Sequence, residues 1–212
     1  MNAPIDLTSL SWKQYNADLS GSALPEPTCW SVAVEYFRLF RNGFRESVPS
    51  SNNTEMIDSN TQIDFLRAVM ASDVVYDSVV GVRALVRNWQ RVTATHPDID
   101  IRLVRLEKGS EASVVAIVKG LTTISENTVK YAFPHLVEGN YFSPLAQRLL
   151  GRQLEVDGVL QMTWDDKLGR VVNLQFQASM MTAMFRILGS LEDVASVFES
   201  AYMDPECRAL AH

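Results

Sequence analysis

Cysteine is scarce in this chain: Cys29 and Cys207 are the only two among 212 residues. Two cysteines allow at most one bridge, which excludes a disulfide-built scaffold, and two free thiols are the expected state. Histidine is scarce as well. Three histidines and two cysteines, widely spaced, offer neither a CxxC pair nor a His pair at helical spacing, so no metal and no other cofactor is expected. No apolar run approaches the length needed to cross a bilayer. The opening residues MNAPIDLTSLSW also lack the basic and apolar regions of a secretory signal, so the expected location is intracellular, nuclear or cytoplasmic, without a membrane partner. Positive charge is in deficit, with 19 Lys and Arg against 25 Asp and Glu and a net charge of -6. The basic residues are scattered, so direct nucleic-acid contact by this chain is disfavoured. The glycine-containing stretches VEGNYF and VVGVR lack the pattern of a phosphate loop, and GSL at Gly189 reads as a helix cap and not a nucleophile elbow.

What is present is ordinary core material: 47% apolar and 21% charged residues, enough for one domain with extensions. Residues 1–27 show no sustained period and read as an N-terminal extension that Trp12 and Tyr15 could anchor. A single domain is expected over 28–201 and a tail over 202–212. Thr28 is a plausible N-cap for a first helix carrying Trp30, Val34 and Phe37, with Gly43 as its stop. Residues 47–60, rich in Ser and Asn, read as a loop. Ser59 with Gln62 three residues on has the pattern of a capping box for a second helix, which turns Ile63, Leu66, Val69 and Met70 to the core. A short extended piece follows, then a third helix over about 82–95 with Val82, Leu85, Val86, Trp89 and Val92 on one stripe. His96-Pro97 ends it, because a residue before proline disfavours the α region.

The period then changes from 3.6 to 2. IDIRLVRLEKG and ASVVAIVKGLTTI read as strands, TVKYAFPHLV as a third strand, and SPLAQRLLG as a short helical insert. LQMTWDDKLGRVVNLQFQ reads as two strands joined at DDKLG, whose acids are turn formers and whose Gly169 supplies positive φ. One or two helices around Gly189 close the chain, with Ser190 as a cap. Helices followed by an antiparallel run give an α+β class. The expected architecture is a curved antiparallel sheet wrapping the N-terminal helices, a cone-shaped α+β barrel with a C-terminal helix and an internal pocket.

The order helix, helix, DVVYD, Gly, ALVRNWQ and long antiparallel sheet, over about 29–178, resembles the nuclear-transport-factor-2-like, or cystatin-like cone, superfamily. CWSVAVEYFRLFRNG, FPHL, WDDKLGRVVNL and ILGSLEDVASVFESA together resemble the C-terminal domain of basic-leucine-zipper transcription-factor-like proteins of oomycetes. The DNA-binding part of that family is a basic region and heptad zipper lying before this domain. Neither a Lys/Arg cluster nor leucine heptads precede the first helix here. The chain therefore reads either as a fragment or as a member without that segment, and no DNA-contacting residue carries over.

The closing hairpin divides into two faces. Leu160, Met162, Trp164, Val172, Leu174 and Phe176 form a dry face, which with Trp89 is expected to line a pocket for a small apolar ligand. Gln161, Thr163, Asn173, Gln175 and Gln177 form a polar face without charge. Such a face can meet a copy of itself without burying unpaired charge, and a homodimer through the convex side is expected. Superfamily members include dehydratases and isomerases that use a pocket carboxylate or histidine. By that resemblance Asp73, Tyr76 and His135 are the alternative catalytic set, with Asp73 and Tyr76 near the sheet mouth. The dry face of the hairpin carries no ionisable group, so a non-catalytic dimerisation or ligand-sensing domain is the preferred reading.

Overall fold

Thr28 starts the first helix by a reciprocal bond pair. Its Oγ1 accepts from Ser31 N at 3.2 Å, while its own backbone N–H donates to Ser31 Oγ at 3.0 Å, closing a capping box. A computed structural model describes residues 27–45, 59–77 and 79–207, so Trp12, Tyr15 and most of the expected loop lie outside the described residues. Helix α1, Cys29–Leu39, buries Cys29, Val32, Ala33, Tyr36 and Phe37, a set at spacings of three and four that gives one face of a helix. Trp30 and Val34, expected on the core stripe, belong to the opposite face and are exposed. After Phe40 caps the helix, Gly43 turns the chain at φ +73°, where a Cβ would run into Thr93 Oγ1.

Helix α2, Ser59–Val69, buries Phe65, Leu66 and Val69. Gln62 is not spent on a capping box. It is fully buried, its Nε2 donates to the Leu39 and Gly43 carbonyls at 2.9 Å each, and its Oε1 accepts from Arg45 N at 2.9 Å. One amide therefore satisfies three backbone groups left over where α1 ends. Strands β1, Met70–Tyr76, and β2, Val79–Val80, lead through Gly81 to helix α3, Val82–Thr95, which ends on His96 as expected.

Strands β3, Asp100–Lys108, and β4, Ser113–Thr123, pair antiparallel. TVKYAFPHLV is not a strand: it forms helix α4, Glu126–Ala132, and a 3₁₀ turn, Pro134–Leu136. The reason is a second capping box, with Ser125 and Thr128 bonding each other's backbone N–H, which outweighs the strand-like β-branched and aromatic content. Two short strands, β5 (Val137–Glu138) and β6 (Tyr141–Phe142), precede helix α5, Pro144–Leu149, the expected insert. Long strands β7, Gln153–Asp165, and β8, Arg170–Ala178, follow, then helices α6, Met180–Leu188, and α7, Leu191–Phe198, separated by Gly189 in the left-handed region.

The main sheet runs β2-β1-β8-β7-β4-β3 and is open and curved, an α+β architecture of the expected kind. Its pairing is antiparallel except between β1 and β8, which are parallel. That single parallel contact differs from the all-antiparallel expectation: β1, which precedes α3 in the chain, takes its place beside β8, the last strand. A bulge between Thr163 and Trp164 sets Trp164 opposite Val171. Val171 is consequently the fully buried residue and Val172 the half-buried one, the reverse of an unbroken alternation. Two hydrophobic clusters result. The first holds α1, α2 and α3 against the inner sheet face, and the second gathers Ile124, Leu154 and helices α4 to α7.

Candidate functional site

A cavity of about 390 Å³ lies where these two clusters meet. Tyr36 and Phe37 of α1, Trp89 and Val92 of α3, Val118 of β4, Leu160 of β7 and Phe176 of β8 bound it from the first cluster. Ala132 of α4, Leu154 and Val156 of β7, Met180 of α6, and Met203 and Cys207 bound it from the second. The expected tail is thus part of the wall. It is held there by Tyr202 N–H donating to the Ala132 carbonyl at 2.9 Å and Met180 N–H donating to the Pro205 carbonyl at 3.1 Å. Gly158 keeps the wall thin, since a Cβ there would sit 3.0 Å from Phe176 Cε2 and 3.1 Å from Val118 Cγ2.

Polar groups in the wall are mostly satisfied by each other. Trp89 Nε1 donates to Tyr36 Oη at 2.9 Å, and the Trp89 ring stacks on Phe40 at 4.9 Å between centroids. Burial pushes the Tyr36 phenol well above its ordinary range, so it is a neutral hydroxyl. Burial, and then the Asp77 charge, do the same to Tyr76, with a smaller opposing pull from Asn88. Asn88 in turn accepts from Arg91 Nη2 at 2.7 Å. Burial, and then the Asp204 and Glu206 charges, push the Cys207 thiol up to about 12, so it is no nucleophile at neutral pH. Both cysteines are free thiols. Asp77 and Arg91, the charged lining residues, are half-buried and exposed respectively.

His96 differs. It is 7% exposed, lines the cavity, and its Nδ1 has no hydrogen-bond partner. Burial holds its pKa down to about 4, against a smaller opposing pull from Asp98, so the imidazole is neutral at physiological pH. Local sequence read His96 as a helix stop. A tertiary fact, its place in a cavity wall that β4 and the C-terminal segment also line, makes it a site residue.

Of the residues expected to line a pocket, Trp89, Leu160 and Phe176 do so. Met162 and Leu174 are fully buried in the first cluster, and Trp164 and Val172 pack against it half-buried, away from the cavity. The alternative catalytic set does not come together. Tyr76 lines the cavity, but Asp73 is exposed on β1, and His135 is exposed on the 3₁₀ turn with Nε2 at 3.1 Å from the Ser196 carbonyl. On the other side of the sheet the polar residues form cross-strand pairs, Gln161 with Gln175 and Thr163 with Asn173, and Gln177 faces Val159. Val115 and Ile117 of β4 continue this band without charge. Lys119 with Glu155 at 2.7 Å and Arg105 with Glu107 at 2.6 Å flank it as closed ion pairs. Among the described residues no group of three His, Cys, Asp or Glu side chains is placed to hold a metal ion, and no helix is long and apolar enough to cross a membrane.

A family model described as the BZIP transcription factor 1 C-terminal domain matches residues 30–95, which span α1 through α3 and so supply one wall of the cavity. Curated proteins give no match. Among solved structures, a SnoaL-like polyketide cyclase from Agrobacterium tumefaciens superposes with a TM-score of 0.51 at 12% identity, covering 77% of this chain and 99% of that one. A SnoaL-like protein from Jannaschia sp. gives 0.47 at 15% identity, over 80% of this chain and 98% of that one. IdmH from Streptomyces antibioticus gives 0.48 at 15% identity, over 77% of this chain and all of that one (100%). The Agrobacterium likeness identifies the fold as SnoaL-like, that is nuclear-transport-factor-2-like; at such identity it is a likeness of fold alone.

Proposed function

We propose that this chain is a ligand-sensing and dimerising domain associated with transcription control, and that it does no chemistry on its ligand. The observation that carries this reading is the cavity: mostly apolar and aromatic walls, a volume within the range of small-molecule sites, and Tyr36, Tyr76 and His96 side chains that are neutral at physiological pH, the charged lining residues Asp77 and Arg91 being half-buried and exposed. General acid–base work needs a group whose pKa lies near the working pH. Tyr36 and Tyr76 lie far above that range and His96 far below it. The regulatory association rests on the match of residues 30–95 to a transcription-factor C-terminal domain. The alternative, a dehydratase or isomerase using Asp73, Tyr76 and His135, draws no support from the positions of Asp73 and His135.

In this reading the second copy pairs through Gln161, Thr163, Asn173, Gln175 and Gln177. Amide side chains donate and accept equally, so a twofold contact leaves each one a partner on the opposing face. Sedimentation velocity at micromolar concentration tests it. The unmodified chain is expected to sediment as a dimer, and a Gln175→Lys, Gln177→Lys double variant as a monomer, because four like charges then oppose each other across the axis. A monomer for the unmodified chain refutes the pairing.

A further inference from the structure

Among the described residues, the cavity wall contains one buried polar side chain with a ring nitrogen that the protein itself leaves unmet. We propose that His96 is the recognition residue of this cavity, and that its ligand is an uncharged, flat, largely apolar molecule carrying a hydroxyl placed against that imidazole. The proposal rests on the reading of the cavity as a ligand site and adds which chemistry fills it.

The backbone at His96 is fixed from both sides. Its N–H donates to the Val92 carbonyl at 2.8 Å, and its carbonyl accepts from Ile99 N–H at 3.2 Å, with Pro97 next in the chain. The ring is therefore delivered to the wall by the end of α3 and cannot easily withdraw. Neighbouring polar groups are committed elsewhere. The Thr95 carbonyl accepts from Thr128 Oγ1 at 2.8 Å, and Thr122 Oγ1 donates to Asp98 Oδ1 at 2.7 Å, which also accepts from Thr123 N–H. In the other buried polar pair of the wall the Trp89 indole N–H is met by the Tyr36 oxygen. Among the described residues, Nδ1 of His96 is the buried side-chain polar atom left without a partner, in a residue more than nine-tenths buried, an arrangement that native interiors rarely keep without a reason.

The shape of the ligand follows from the walls and its polarity from the imidazole. Tyr36, Phe37, Tyr76, Trp89 and Phe176 present aromatic surface, which favours a flat ring by stacking and edge contacts. A neutral imidazole has one donor nitrogen and one acceptor nitrogen, in either tautomer. A hydroxyl, which both donates and accepts, can serve whichever nitrogen faces it; a methyl group of the same size can serve neither. An ionised group set against this neutral imidazole would gain no opposite charge from it, and the charged lining residues, Asp77 and Arg91, are half-buried and exposed rather than buried.

The test compares two probes of one shape, 2-naphthol and 2-methylnaphthalene, by titration calorimetry on the full chain. The unmodified protein is expected to bind 2-naphthol roughly tenfold or more tightly than 2-methylnaphthalene, the scale of one buried hydrogen bond. His96→Phe, which keeps a ring and removes both nitrogens, is expected to bind the two alike. His96→Asn, smaller and still able to donate and accept, is expected to keep part of the preference and guards against a Phe variant that folds poorly. Equal affinity of the unmodified chain for both probes overturns the role of His96 and leaves the cavity as a ligand site. Retention of the full preference in His96→Phe overturns it too. Binding of neither probe overturns this inference and the ligand-sensing reading together.

Discussion

Gln62 and His96 show how differently two buried polar residues can sit in one fold. Gln62 meets three backbone groups and has nothing left to offer, whereas His96 has an unmet nitrogen in the wall of a cavity. The histidine leaves a measurable mark on stability. The unfolded chain takes up a proton on this ring near its ordinary 6.5, while the folded chain refuses it until about pH 4. Stability contributed by the neutral ring is therefore complete above about pH 6.5 and declines as the pH falls toward 4, by a total on the order of 3 kcal/mol. Urea unfolding of the unmodified chain and of His96→Phe across pH 4 to 7 is expected to show this decline as the difference between the two curves. Parallel curves would mean that the ring takes up its proton at the same pH in the folded and the unfolded chain. Neither residue's role was legible in sequence. Gln62 matched a capping pattern with Ser59, and His96 matched a helix stop before proline. Both matches describe backbone within a few positions, while both roles depend on chain brought from elsewhere.

Elements were more legible than residues, and the departures share a cause. The stripe of α3, the caps at Thr28 and Ser190, and the alternation of β3, β4 and β7 are all written in periods, and periods survive because one face of each element is buried. Helix α4 was hidden because its β-branched and aromatic residues favour a strand, and only the Ser125–Thr128 pair tips the segment to a helix. The hairpin's faces were legible up to the bulge at Thr163/Trp164, beyond which Val171 and Val172 exchange places. A bulge leaves no periodic trace of its own, because it consists of one residue out of phase. Gly158 makes a related point about strand β7. Gly158→Ala is expected to push against Phe176 and Val118, both wall residues, and to narrow the cavity between them. A stability loss of about 1 kcal/mol by thermal melting, with weakened binding of 2-naphthol by calorimetry, is the expected outcome. Unchanged binding would place the ring elsewhere.

At the scale of the whole molecule, the cone shape and the existence of a pocket were legible from the order of elements and from the family resemblance, and the SnoaL-like superposition agrees with the fold. The location of the pocket was not. The whole dry face of the hairpin is expected to line it, but the chain builds two clusters, with the cavity at their junction, Leu160 and Phe176 on one side and residues of the 202–207 segment along another. That junction has a mechanical consequence. Packed interiors resist compression, and a void is the part of a protein that gives, so unfolding volume scales with the empty space that unfolding removes. With about 390 Å³ at its seam, the unliganded chain is expected to unfold under moderate hydrostatic pressure, with the two halves parting where the void already separates them. A molecule seated in that space replaces the void with matter. High-pressure tryptophan fluorescence should then show a midpoint that climbs with 2-naphthol concentration, the fold becoming stiffer as its ligand arrives.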